Sequence, residues 1–116
     1  MIEKDFLPYQ QSVDLKELGF KEECAAQYLS EDDLELKWKK YRNLSIIESK
    51  LIQAPLYQQA FRFFREKYKF TYSIGNTNIA VVHYGLTTQL LQNNATYEDA
   101  ELATIKWFID VANQID

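Results

Sequence analysis

Residues 54–68, APLYQQAFRFFREKY, form the most regular stretch of the sequence. At about 100° per residue, its apolar side chains fall on one arc of a helix, and polar side chains occupy the opposite arc. The apolar arc contains Leu56, Tyr57, Ala60, Phe61, Phe64 and Tyr68, with Phe63 at its margin. Pro55 suits the first helical position. The pattern predicts an amphipathic helix with an aromatic core face.

The segments on either side of this helix predict two β-hairpins. Residues 23–29 (ECAAQYL) and 34–41 (LELKWKKY) are joined by the polar turn SEDD. Residues 70–74 (FTYSI) and 79–84 (IAVVHY) are joined by GNTN, in which glycine and asparagine tolerate positive φ. Alternating polarity and β-branched residues are typical of half-buried strands.

A helix is also expected before the first hairpin, over residues 9–18. Gly19 follows it, at the position where a left-handed backbone costs glycine nothing. Phe20 would then fold back on Leu15, as in a Schellman ending. The sequence therefore predicts where this helix stops.

The last predicted helix begins at Thr96, with Asp99 three residues later as an approximate capping box. The order is thus α-β-β-α-β-β-α, which predicts an α+β fold: an antiparallel sheet of about four strands with helices packed mainly on one face. Residues 42–53 are left unassigned, and residues 86–92 (LTTQLLQ) either extend the sheet or cover it. We expect a single domain over residues 1–116, with fraying confined to residues 1–7.

Composition restricts the class of protein. The net charge is −4, whereas nucleic-acid-binding proteins usually carry a basic surface. One cysteine, Cys24, excludes an internal disulfide and a multi-cysteine metal site. The first residues, MIEKDFLPYQ, lack the apolar core of a signal peptide, and no run is long enough to span a membrane. These features predict a cytoplasmic protein with no metal or cofactor.

The last helix is apolar on two sides. One stripe suits packing on a sheet and contains Leu102, Ile105, Phe108, Ile109 and Ala112. The second stripe contains Ala100, Ala103, Trp107 and Val111. A helix that is apolar almost all round is buried on more than one side. Either a neighbouring chain covers the second stripe, as in a homodimer, or residues 42–53 or 86–92 of the same chain do.

His83 and Cys24 are the only residues that suggest catalysis. A histidine can act as a general base, and a cysteine paired with it can act as a nucleophile. No motif surrounds either residue, and a structural histidine and a buried free cysteine are the more usual cases. A small enzyme built around His83 is therefore the third hypothesis for function, and no catalytic residue is assigned.

A basic and aromatic patch lies in the predicted strand 34–41 and just after it. It contains Lys37, Trp38, Lys39, Lys40, Tyr41 and Arg42. Such patches bind single-stranded nucleic acid by stacking and charge. Alternation opposes this function here, because Trp38 points away from Lys37 and Lys39 on a strand. A solvated strand face is the simpler interpretation, and a nucleic-acid or nucleotide-binding module is the second hypothesis.

Three segments carry a resemblance to a known group of proteins. They are LKELGF (residues 15–20), the helix at residues 54–68 and TYEDAELATIKWFI (residues 96–109). Together they resemble small uncharacterised proteins of gut-bacterial genomes and their prophages or mobile elements. The resemblance implies a compact accessory protein and no catalytic or binding residues. The leading hypothesis is therefore a non-enzymatic interaction protein that self-associates.

Overall fold

The computed structural model describes residues 3–36 and 52–115, and these residues form an α+β fold. The helices of this part are α1 (Tyr9–Glu17), α2 (Tyr57–Tyr68) and α3 (Tyr97–Ile115), after a short 3-10 helix at Glu3–Asp5. The strands are β1 (Ala26–Ser30), β2 (Asp33–Leu36), β3 (Ile52–Ala54), β4 (Thr71–Ile74), β5 (Ala80–Tyr84) and β6 (Thr87–Leu91). The predicted fold class and the order of helices and hairpins are confirmed.

The strands form two antiparallel sheets of three strands each, ordered β2-β1-β3 and β4-β5-β6. The expected single sheet of about four strands is not confirmed. Each predicted hairpin gains a third strand that involves a segment the sequence left undecided: β3 begins at the end of residues 42–53 and includes Ala54, and β6 lies within residues 86–92. The chain divides into two compact units, Met1–Gln58 and Gln59–Asp116.

The core of the first unit is built on its three-stranded sheet. Phe6, Ala26, Tyr28 and Ala54 form a buried cluster. The cluster is extended by half-buried side chains, namely Tyr9, Ala25, Leu34, Leu36, Ile52 and Leu56. The Tyr28 hydroxyl donates a hydrogen bond of 2.8 Å to the Leu7 carbonyl, so the phenol is satisfied where it is buried.

Helix α1 ends as the sequence predicts. Gly19 has a φ of 104°, and the Phe20 N–H donates a 2.9 Å bond to the Leu15 carbonyl. The Gly19 N–H donates to the Lys16 carbonyl, which completes the Schellman pattern. Leu15 and Phe20 are both buried, so this ending also contributes apolar packing.

The sequence places Leu34 and Leu36 on one side of their strand and Glu35 on the other. The alternation holds, but the Glu35 side is not open to solvent. Glu35 is 3% exposed and accepts a 3.4 Å bond from Gln27 Nε2 on β1. Both faces of this hairpin are therefore covered. The remainder of the predicted strand at residues 34–41 lies outside the described residues.

Helix α2 begins at Tyr57, three residues later than predicted, and Pro55 is not its first residue. Ala54 instead pairs with Ala26 across β1 and β3, and the Pro55 carbonyl accepts a 2.9 Å bond from the Leu7 N–H. Ala54 and Pro55 do not join the helix, because they pair with distant residues instead. These pairs satisfy backbone groups of the sheet and of the N-terminal segment.

The second unit has an aromatic core. Phe64, Phe70 and Phe108 are at most 1% exposed, and their ring centroids lie between 5.1 and 6.0 Å apart. Phe61 stacks on Tyr72 at 4.1 Å, and Tyr68 stacks on Phe70 at 5.2 Å. Aromatic rings fill this space with large apolar area and few rotatable bonds.

Candidate functional site

Helix α3 contacts all three strands of the second sheet. Its first apolar stripe faces inward as predicted: Ile105, Phe108, Ile109 and Ala112 are buried, and Leu102 is half-buried. The helix begins where the sequence predicts, since the Asp99 N–H donates a 3.0 Å bond to Thr96 Oγ1. The buried stripe therefore determines which side of α3 faces solvent.

The second stripe of α3 is only partly covered by the chain. Ala100 is fully buried, whereas Ala103, Trp107 and Val111 are half-buried. Ala103 and Val111 lie one turn before and one turn after Trp107, so the three side chains share one face of the helix. Internal packing therefore accounts for Ala100 and leaves three members of the stripe open to further contact.

Trp107 links this face to strand β6. Its indole Nε1 donates a 3.1 Å hydrogen bond to Gln89 Oε1, and its ring contacts Phe70 and Phe108 at 6.1 and 5.8 Å. The ring is thus anchored to the core on one side while part of it stays exposed. Pre-positioned aromatic rings of this kind are common at the centres of protein interfaces.

Strand β6 decides between the two alternatives that the sequence left open for residues 86–92, because this segment extends the sheet. Residues 87–90 are exposed and Leu91 is half-buried. In the part of the chain that the structure describes, the sheet ends at β6, whose only strand partner there is β5. Residues 86–92 are uncharged and consist only of leucine, threonine and glutamine. We call β6 together with Ala103, Trp107 and Val111 the edge surface.

The sheet face opposite α3 contains both apolar and polar side chains. Val81 and Leu90 pair across β5 and β6, and His83 pairs with Thr88. His83 Nδ1 lies 3.0 Å from Thr88 Oγ1, and His83 is half-buried. This contact holds the imidazole against β6 as a cross-strand pair.

Cys24 lies in the core of the first unit. It is 4% exposed, and its Sγ lies 3.5 Å from the Glu22 carbonyl. The Cys24 N–H donates a 3.2 Å bond to Oε1 of Gln53, a residue of β3. A buried thiol with this environment behaves as a small apolar side chain.

An acidic cluster lies at the start of α3. Burial raises the pKa of the Glu101 carboxyl above its ordinary value, and the neighbouring Glu98 carboxylate raises this pKa further. Burial also raises the pKa of the Tyr72 phenol, with smaller contributions from Tyr97 and Glu101, while Arg65 lowers it. The consequence is that Glu101 binds a proton more readily than a solvated carboxylate.

The basic and aromatic patch that the sequence suggests, Lys37 to Arg42, lies outside the described residues, so it stays a prediction. The basic residues on α2 are all exposed, namely Arg62, Arg65 and Lys67. The ammonium of Lys67 lies 5.6 Å from the Phe63 ring and 5.3 Å from the Tyr68 ring. The Lys67 ammonium therefore makes cation–π contacts with two aromatic rings of its own helix.

Two features of the described residues concern metal binding and membrane insertion. Over residues 3–36 and 52–115, no group of three or more histidine, cysteine, aspartate or glutamate residues is arranged to hold a metal ion. None of the helices in the same part of the chain combines the length and apolar character needed to cross a membrane.

Comparison with protein-family models, with curated proteins and with solved structures found no match for this chain. The edge surface is therefore the part of this chain from which we infer a function.

Proposed function

We propose that this protein is a non-enzymatic interaction module that self-associates through the edge surface. One observation carries the proposal: three partly exposed apolar side chains of α3 adjoin an exposed, uncharged strand through the Trp107–Gln89 bond. Interface cores are enriched in aromatic residues and depleted of charged ones, and the edge surface has this composition.

The cytoplasm and an accessory role in a phage or mobile element remain our predictions from the sequence. The first is supported by the single, buried Cys24, which is compatible with a reducing compartment. The second is supported by the resemblance carried by residues 15–20, 54–68 and 96–109.

The first experiment is light scattering across a range of protein concentrations. We expect a mass at least twice that of one chain. Val111→Lys should reduce the mass to that of one chain, because it places a charge in the contact. Asn113→Lys is the matched control: it introduces the same lysine two residues away on the same helix, at an exposed position.

Trp107 is a poor choice for this test, because its ring also contacts Phe70 and Phe108 in the core. Ala103→Glu supplies an independent second variant. Circular dichroism must show that both variants keep the fold of the parent. A parent chain that stays monomeric at all concentrations, or two folded variants that keep the parent's mass, would overturn the proposal.

A further inference from the structure

We infer that β6 pairs with β6 of a second copy of this chain, antiparallel and about a two-fold axis at Gln89, so that two three-stranded sheets join into one. This inference rests on the proposed self-association and adds its partner, its strand and its register.

The absence of charged residues from the sheet β4-β5-β6 favours a second copy of this chain as the pairing partner of β6. Residues 70–97 contain no Asp, Glu, Lys or Arg, although these types make up 26% of the chain. Exposed edge strands are usually protected from pairing by lysine, proline or a bulge. Here neither residue type occurs in β6, and its register with β5 is regular along all five residues.

A two-fold contact also places each residue close to its own kind. In a chain of net charge −4, most surfaces would bring like charges together across such an axis. The edge at β6 avoids this repulsion, and it exposes Leu90 at 52% and Leu86 fully. The surface therefore suits a contact between identical copies.

The connection between β5 and β6 determines which backbone groups are free to pair. It has two residues, begins at Gly85 with a φ of 60°, and closes the pair Tyr84 and Thr87. In a two-residue hairpin the closing pair is hydrogen-bonded, and such pairs alternate along the ladder. Gln89 and Leu91 thus bond toward β5, and the backbone groups of Thr88 and Leu90 point outward.

The symmetric register follows from these outward groups. An axis at Gln89 pairs all five residues of the strand, with Thr88 opposite Leu90 of the second copy and Gln89 opposite itself. Thr88 and Leu90 of each copy then exchange both backbone bonds with the other copy. On the α3 face, the two Gln89 side chains meet beside the two Trp107 rings.

Disulfide cross-linking tests the register. In Gln89→Cys, the two Cα atoms would lie about 4.5 Å apart, as in a non-hydrogen-bonded pair, and disulfides span about 4.4–6.8 Å. We expect most of this variant to form a covalent dimer under mild oxidation. Leu90→Cys alone should not, because its Cα atoms would be diagonal neighbours about 7–8 Å apart. Mixing the Leu90→Cys protein with the Thr88→Cys protein should restore cross-linking, because these two positions lie opposite each other in the proposed register.

Two controls define the background. The parent chain retains only the buried Cys24 and should stay uncross-linked. Thr71→Cys places an exposed thiol on β4, at the opposite edge of the same sheet, and reports random collision. Efficient linking of Leu90→Cys to itself, or equal linking of Thr71→Cys, would overturn this inference.

Placing a charged side chain on β6 provides a second test of the pairing, and this test needs no oxidation. Leu90→Lys should convert the dimer to a monomer, and Thr71→Lys, also exposed and on the same sheet face, should leave the mass unchanged. A stable dimer that Val111→Lys dissociates but Leu90→Lys does not would overturn the pairing at β6 and leave the proposed function standing. A monomeric parent chain would overturn both.

Discussion

The Leu7 carbonyl accepts a 2.8 Å hydrogen bond from the Tyr28 hydroxyl and lies 3.3 Å from Ser12 Oγ, whose single proton is shared with the Pro8 carbonyl at 3.0 Å. Leu7, Tyr28 and Ser12 are buried. The two donors come from β1 and α1, so this carbonyl joins the sheet of the first unit to the helix that precedes it.

We expect Tyr28→Phe to lower the free energy of unfolding by about 0.5–1.5 kcal/mol, because the Ser12 hydroxyl can then donate to the Leu7 carbonyl alone while the Pro8 carbonyl keeps its bond from the Ser12 N–H. Adding Ser12→Ala removes the second donor as well, so the double variant should lose more than the sum of the single variants. Urea unfolding of the four proteins measures this coupling. Strictly additive losses would show that the two donors do not share the carbonyl.

Phe108 lies at the centre of the aromatic core of the second unit. Its ring contacts Phe61, Phe64, Phe70, Tyr72 and Trp107. Phe108→Ala should cost about 3–5 kcal/mol of stability, since it removes a fully buried ring and leaves a cavity. Phe63→Ala, at a half-buried position, is the control and should cost clearly less in the same denaturant titration. Equal losses would contradict this placement of Phe108.

Gly85 and Gly75 form a matched pair of turn glycines. A Cβ would meet no atom within 4 Å at either residue, but only Gly85 has positive φ, at 60°. Gly85→Ala should therefore cost about 1–2 kcal/mol through backbone strain alone. Gly75→Ala should be neutral or slightly stabilising, because it restricts the unfolded chain. Thermal unfolding distinguishes the two. A harmless Gly85→Ala would show that the β5–β6 turn tolerates a side chain.

The raised pKa of Glu101 predicts how stability depends on pH. Between the ordinary carboxyl pKa and the raised one, the folded chain binds more protons than the unfolded chain. The free energy of unfolding therefore falls as pH rises through this window. Glu101→Gln removes the effect, so the variant should gain stability relative to the parent as pH rises from the ordinary carboxyl pKa through the raised one.

The control for that titration is Glu31→Gln, in the exposed turn between β1 and β2. This variant also removes one carboxylate from the chain, so it shows how much of the pH-dependent difference comes from the change in net charge alone. If Glu101→Gln instead loses stability relative to the parent as pH rises, the carboxylate is stabilised in the folded state and the assigned direction is wrong.

Local signals in the sequence predicted local structure well. Gly19 and Phe20 end α1, Thr96 begins α3, and Asn78 has the positive φ, 60°, that its turn position suggests. Each of these features depends on residues within one or two turns of chain, so the sequence alone contains the necessary information.

Features that depend on distant partners were not predictable in the same way. Ala54 and Pro55 resemble the start of a helix, but their backbone groups bond to Ala26 and to Leu7. Glu35 appears solvated by alternation, yet it is buried beside Gln27. Periodicity identified the apolar face containing Trp107, whereas the exposure of β6 depends on which strand occupies the end of the sheet.

The order of elements in the second unit has a consequence for synthesis. The meander of β4, β5 and β6 is complete at Leu91, before the α3 residues that cover it, such as Ile105 and Phe108, have been translated. Helix α3 follows β6 closely along the chain, so both leave the ribosome at nearly the same time. The second unit therefore completes its core only after α3 has emerged, whereas the strands of the first unit precede it along the chain and can pair earlier.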